Sequence, residues 1–184
     1  MRKIVVGEFV SADGVMEAAD QWQLPFQTDE MGEITERQIR DAGAFMMGRV
    51  TYEMFAGYWP TLKNNEFGVA DKMNSAPKYV VSTTLQKADW NNSTHIKSNV
   101  VEEIRKLKQQ PGGDIAIIGS MKLVRSLLDA DLIDEVQMLV HPIVLGKGGR
   151  LFADGGRRSD MKLADSKILS NGVVYLSYQL EHKA

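Results

Sequence analysis

Apolar residues in this chain gather in short runs separated by polar, glycine-bearing or helical-period segments. Residues 4–10 are mostly apolar with poor alternation, the pattern of a central strand covered on both faces. Ser11-Ala12-Asp13-Gly14 ends that strand with turn chemistry. Residues 15–26 show no period and read as an ordered loop holding Trp22 and Leu24-Pro25. Thr28 then predicts a helix N-cap, with Asp29 and Glu30 in the first turn, where the helix dipole favours acids. Met31, Ile34, Gln38 and Ala42 recur at helical spacing on its inner face, and Gly43 stops it.

The next stretch organises the rest. Ala44-Phe45-Met46-Met47 is a continuous apolar run, Gly48 permits a tight turn, and Arg49 adds a cation. A helix follows, in which Val50, Met54 and Tyr58 fall four residues apart on one face. A helix start at the carboxyl end of a buried strand offers free N–H groups and a positive dipole end, which suits phosphate. The same grammar recurs twice. Tyr79-Val80-Val81 ends at Ser82-Thr83, and residues 115–118 end at Gly119-Ser120, before a helix over 121–128 that carries Lys122. Between them, residues 90–96 hold a short strand, and Asn99 caps a helix with Val100, Ile104 and Leu107 facing inward. The last third changes character. Residues 136–140 form a strand closed by His141-Pro142, and a glycine-rich loop, mobile or tightly turned, covers 146–156. Residues 162–169 and 173–180 flank Asn171-Gly172, a hairpin signal. The whole predicts an α/β fold with a mostly parallel sheet and antiparallel C-terminal strands.

In an open parallel sheet, ligands bind outside the carboxyl ends of the strands. If the three strands are neighbours, Gly48-Arg49, Ser82-Thr83 and Gly119-Ser120 bring hydroxyls, helix dipoles and the cations Arg49 and Lys122 into one crevice. That crevice suits the phosphates of a dinucleotide. The glycines match neither G-x-G-x-x-G nor the P-loop pattern. Asp13, at the same edge, is the candidate for handling a substrate proton. Trp22, Asp29 and Glu30 are the candidates on the substrate side. Composition narrows the picture: 184 residues predict one domain spanning 1–184, and a net charge of -2 argues against a nucleic-acid partner. Cysteine is absent, which excludes disulfides, thiolate metal sites and a Cys nucleophile. His95, His141 and His182 are too scattered for zinc, so no metal is expected. The first apolar run is cut at Glu8, too soon for a signal peptide, and no stretch is long enough to span a membrane. A cytoplasmic location is expected.

Four segments together resemble a known family. Phe9-Val10-Ser11-Ala12-Asp13-Gly14 resembles its first strand and S-x-D-G turn, and Met46-Met47-Gly48-Arg49-Val50-Thr51 its M-G-R-x-T phosphate turn. Val80-Val81-Ser82-Thr83 resembles its second cofactor strand. The longest match runs from Leu127-Leu128 through Leu132-Ile133-Asp134-Glu135-Val136, then Pro142-Ile143-Val144-Leu145-Gly146 and Leu151-Phe152. These segments resemble the riboflavin-biosynthesis reductase domain, the C-terminal domain of the bifunctional deaminase-reductase, within the dihydrofolate reductase-like superfamily. The resemblance implies a three-layer α/β/α fold, NADPH as hydride donor, a homodimer, and a small-molecule substrate reduced at the ribosylamino C1, as by 5-amino-6-(5-phosphoribosylamino)uracil reductase. It places the cofactor against Gly48, Arg49, Val50, Thr51, Ser82, Thr83, Gly119, Ser120, Met121 and Lys122. Gly119-Ser120 stands where the family has paired glycines. Trp22-Gln23-Leu24-Pro25 resembles folate reductases, but Gln27 stands where those carry an acid, which argues against folate reduction. A reductase of a pteridine or another small heterocycle, and a nucleotide-binding dimer without turnover, stay open. Val173-Val174-Tyr175-Leu176, apolar on both faces near the end of the chain, points to a dimer edge.

Overall fold

Eight strands form the middle layer of the molecule, seen in a computed structural model that describes residues 1–152 and 154–182. They are β1 (Ile4–Ser11), β2 (Ala44–Gly48), β3 (Lys78–Val81), β4 (Ser93–Ile96), β5 (Ile115–Ile117), β6 (Glu135–His141), β7 (Met161–Ile168) and β8 (Val174–Leu180). Across the sheet they run β4-β3-β2-β5-β1-β6-β8-β7. The pairings from β4 to β6 are parallel, while β8 is antiparallel to both β6 and β7. The helices are α1 (Ala19–Trp22), α2 (Asp29–Asp41), α3 (Arg49–Tyr58), α4 (Ala70–Ser75), α5 (Val100–Gln109) and α6 (Met121–Asp129).

The apolar runs divide between the two faces by strand alternation. Ala44 and Met46 of β2 join Ile4 and Val6 of β1 against Ile104 of α5 and Val124 and Leu127 of α6. Phe45 and Met47 face the other way, against Tyr52 of α3 and Met73 of α4. Met31 and Ile34 of α2 pack on Leu139 and Tyr175 farther along that second face. Helices on both faces make β2 apolar throughout, and each fully buried Phe or Met there contributes roughly 1.5–3 kcal/mol. Thr28 caps α2 as its sequence predicts, its hydroxyl accepting from Met31 N–H.

The stripe of Val50, Met54 and Tyr58 faces solvent, at 66%, 55% and 45% exposure. The sheet instead covers the neighbouring stripe of Tyr52, Phe55, Ala56 and Trp59. Asn99 precedes α5 without a side-chain cap, because it sits at φ 51°, in the left-handed region. Val174 to Leu176 are not a free edge: β8 lies between β6 and β7, and β7 is the edge strand on that side of the sheet. No helix among the described residues is long and apolar enough to cross a membrane.

Candidate active site

The strand order makes β3, β2 and β5 direct neighbours, so their carboxyl ends lie side by side. α3 starts immediately after β2, and α6 starts three residues beyond Ile118. The two helix starts touch. A Cβ on Gly48 would fall on Ser120 Oγ, and a Cβ on Gly119 would lie 2.8 Å from Thr51 Oγ1. Gly119 also holds φ +60°, a conformation that side chains disfavour. Neither Gly48 nor Ser120 caps its helix with a side chain, which leaves first-turn N–H groups open. Arg49 Nη1 donates to Glu53 Oε2 at 2.8 Å, an exposed pair worth little, so the guanidinium is free to turn to an anion. Lys122 is exposed in the first turn of α6. Two uncapped helix starts with a cation at each form a cradle whose chemistry fits a pyrophosphate.

The other expected cofactor residues fall around this cradle with different tasks. Ser82 Oγ accepts from the N–H groups of Thr84 and Leu85 at 3.0 and 2.9 Å, which shapes the turn after β3. Thr83 in that turn and Val50 on α3 are exposed. Met121 packs against the loop after β6, where a Cβ on Gly149 would strike its thioether.

A cavity of about 530 Å³ lies between α2 and the sheet, bordered by Glu8, Phe9, Gln27, Gln38, Ile118 and Tyr175 among others. A polar relay crosses it: Gln38 Nε2 donates to Gln137 Oε1 at 2.8 Å, and Gln137 Nε2 to Glu135 Oε1 at 2.6 Å. Ser177 Oγ completes the relay, donating to the same Glu135 oxygen at 2.8 Å. Glu8 joins cavity and cradle, because its Oε1 accepts from the backbone N–H of Gly119 at 2.8 Å. Burial pushes its carboxyl up to about 8, against the smaller opposing effect of that N–H. Sequence reasoning did not single out Glu8 as a candidate. The signal was present, since it is the one charged position inside an otherwise apolar central strand.

The expected acids lie elsewhere. Asp13 accepts from Ser11 Oγ at 2.7 Å and from the N–H groups of Leu145 and Gly146 at 3.1 and 2.9 Å. These bonds, the Ser11 hydroxyl foremost, hold its carboxyl down at about 2 and tie the glycine-rich loop to the end of β1. Asp13 does not border the cavity. Glu30 accepts from Ser170 N–H at 2.8 Å and Ser170 Oγ at 2.7 Å, and pairs with Lys167 at 3.1 Å. Those contacts also hold it at about 2, and they fasten α2 to the β7–β8 hairpin. Asp29 is exposed and borders neither feature. Trp22 donates to Glu17 O at 3.0 Å and meets the His141 ring edge-on at 5.1 Å, with Phe9 and Phe26 around the same imidazole. Trp22 does not border the cavity. The loop after β6 is tightly turned: Met16 N–H donates to Gly149 O at 2.9 Å, and Gly149 N–H to Glu17 Oε2 at 2.6 Å.

A mostly parallel sheet covered on both faces, with antiparallel C-terminal strands, defines the dihydrofolate reductase-like class. The chain belongs to the RibD C-terminal domain family, whose model matches residues 2–175. The uncharacterized Bacillus subtilis (strain 168) protein YyaP is 30% identical over 184 residues, covering 96% of this chain and 94% of its own length. Among solved structures, a Shewanella sp. PV-4 protein provisionally assigned to riboflavin biosynthesis superposes with TM-score 0.76 at 20% identity. That match covers 97% of this chain and 99% of the other. A dihydrofolate reductase from Enterococcus faecalis, complexed with NADP(H) and RAB-propyl, superposes with TM-score 0.61 at 14% identity, covering 97% and 96%. Membership of the RibD C-terminal domain family supports an oxidoreductase.

Proposed function

We propose that this protein is an NADPH-dependent reductase of the riboflavin-biosynthesis type, acting on a small heterocyclic substrate such as 5-amino-6-(5-phosphoribosylamino)uracil. One observation carries the proposal: the anion cradle at Gly48 and Gly119 adjoins a cavity of about 530 Å³, and Glu8 links the two. The family favours a reductase, and the Enterococcus faecalis enzyme of the same fold was solved with NADP(H). Bound at this site, NADPH would supply the hydride.

The chain's own residues supply the rest. The open N–H groups of α3 and α6 receive the pyrophosphate. Arg49 offers a forked pair of donors to the 2′-phosphate, with Lys122 as a point charge and Thr83 as a hydroxyl donor. Gly119 lets the backbone come close, while Met121 fixes the start of α6. Phe9, Ile118 and the Gln38–Gln137–Glu135 relay give the cavity an apolar wall and a set of donors and acceptors for a ring's polar edge. Gln27 at the cavity border is no acid, so dihydrofolate is a poor substrate in this account. The protein acts as a cytoplasmic homodimer. Titration with NADPH, followed by its oxidation with 5-amino-6-(5-phosphoribosylamino)uracil and with dihydrofolate, tests the proposal. Oxidation with the pyrimidine and little with dihydrofolate is expected; absence of NADPH binding overturns it.

A further inference from the structure

We infer that Glu8 is the acid of the site, holding as a neutral carboxyl the proton that accompanies the hydride to the substrate. The inference rests on the reductase reading above. Three observations support it. Glu8 lies on β1, whose neighbour β5 ends at Ile117, so the sheet opens beside it. Its Oε1 is fixed by Gly119 N–H at 2.8 Å, at the start of the helix that frames the cradle, and the residue borders the substrate cavity. No hydrogen bond reaches its second oxygen among the described residues, which leaves an O–H there free to donate.

Its surroundings keep it neutral. Glu36, Arg37 and Asp41 of α2, Asp114 before β5, Glu135 of β6 and Tyr175 of β8 border the same cavity, and Lys122 stands on α6. None of them forms a hydrogen bond or ion pair with Glu8 among the described residues. Without a cationic partner, burial governs, and the carboxyl titrates near 8. Asp13 and Glu30 do not border this cavity, and backbone and hydroxyl donors hold both as carboxylates. The step balances. The substrate gains a hydride from the reduced cofactor and a proton from Glu8, the Glu8 O–H bond breaks, and the cofactor loses two electrons. The residue left behind is a carboxylate, a favourable neighbour for the cationic nicotinamide of NADP⁺.

Proton release on cofactor binding tests this without any substrate. The full-length protein is titrated with NADPH and with NADP⁺ at about pH 8, by calorimetry in buffers of different ionisation enthalpy. About half the molecules hold the Glu8 proton at that pH. NADP⁺ should expel it and NADPH should not, a difference approaching about half a proton per site. Glu8→Gln, isosteric with the neutral acid, should bind both cofactors, melt no lower than the wild type near neutral pH and lose the difference. Turnover on whichever substrate the wild type reduces should fall by about 10²- to 10⁴-fold. Equal proton release for the two cofactors, or a difference that survives in Glu8→Gln, overturns the role of Glu8 and leaves the reductase reading standing. Failure of both cofactors to bind the wild type overturns the reductase reading, and the role of Glu8 with it.

Discussion

An ionised carboxylate inside a sheet loses hydration that one backbone N–H does not replace, so the cost of Glu8 depends on pH. Its folded value lies near 8 and its ordinary value is 4.5. Below the lower value both folded and unfolded chains hold the proton, and burial is tolerated. As pH rises from the lower value to the upper, the unfolded chain gives up its proton while the folded chain holds it, so stability is lost across that window. Glu8→Gln should therefore match the wild type near pH 4.5 and exceed it above pH 8, by an amount on the order of a few kcal/mol. Denaturant titrations of both proteins at the two ends of the window check this, and parallel stabilities at every pH would contradict it. Asp13 and Glu30 have the opposite sign. Their carboxyls are held at about 2, so their contribution is present above the usual carboxylate range and fades as pH falls toward 2. Asp13→Asn replaces one oxygen by an amide that cannot accept from Leu145 or Gly146 N–H, so its melting temperature should drop. Unchanged melting together with lost turnover would return Asp13 to the substrate.

At the scale of elements, the site depends on how closely α3 and α6 begin. Gly48 has ordinary dihedrals, φ −81° and ψ 170°, so Gly48→Ala suffers only the collision with Ser120. It should cost roughly 1–3 kcal/mol, and adding Ser120→Gly should recover most of the loss. Urea unfolding of the two single variants and the double variant measures that coupling; additive losses would mean the helix starts do not touch. This pairing also shows what was legible beforehand. Ala44 to Gly48, Ser82-Thr83 and Gly119-Ser120 each declared a strand end through residues adjacent in sequence, and the sheet order then set them side by side. The hairpin about Asn171-Gly172 was legible for the same reason. The facing of α3 was not, because the helix carries two apolar stripes and only the sheet decides which one is covered. The cavity was hidden for a different reason. Its defining contacts join residues 99 and 111 positions apart, Gln38 with Gln137 and Glu8 with Gly119, which no local pattern announces. The partners of Asp13 were not legible either, because a turn aspartate and a catalytic one look alike until their donors are seen.

On the scale of the whole molecule, β7 is exposed along its entire length, with Met161, Leu163 and Ile168 at 38%, 50% and 79% exposure. A long edge strand with apolar side chains seeks a partner strand or surface, which is where the proposed homodimer should form. Light scattering should report twice the chain mass at micromolar concentration, with Leu163→Lys shifting the balance toward monomer. A wild-type monomer under those conditions would contradict the dimer. Cofactor binding depends above all on the cradle between α3 and α6. The most direct measurement is the dissociation constant of NADPH and of NADH, for wild type and Arg49→Ala, at one fixed ionic strength. Wild type should prefer NADPH, and Arg49→Ala should weaken NADPH by about 10- to 150-fold, the worth of one charged hydrogen bond, while changing NADH much less. Wild type that binds neither cofactor, or Arg49→Ala that binds NADPH as tightly as wild type, would contradict the account.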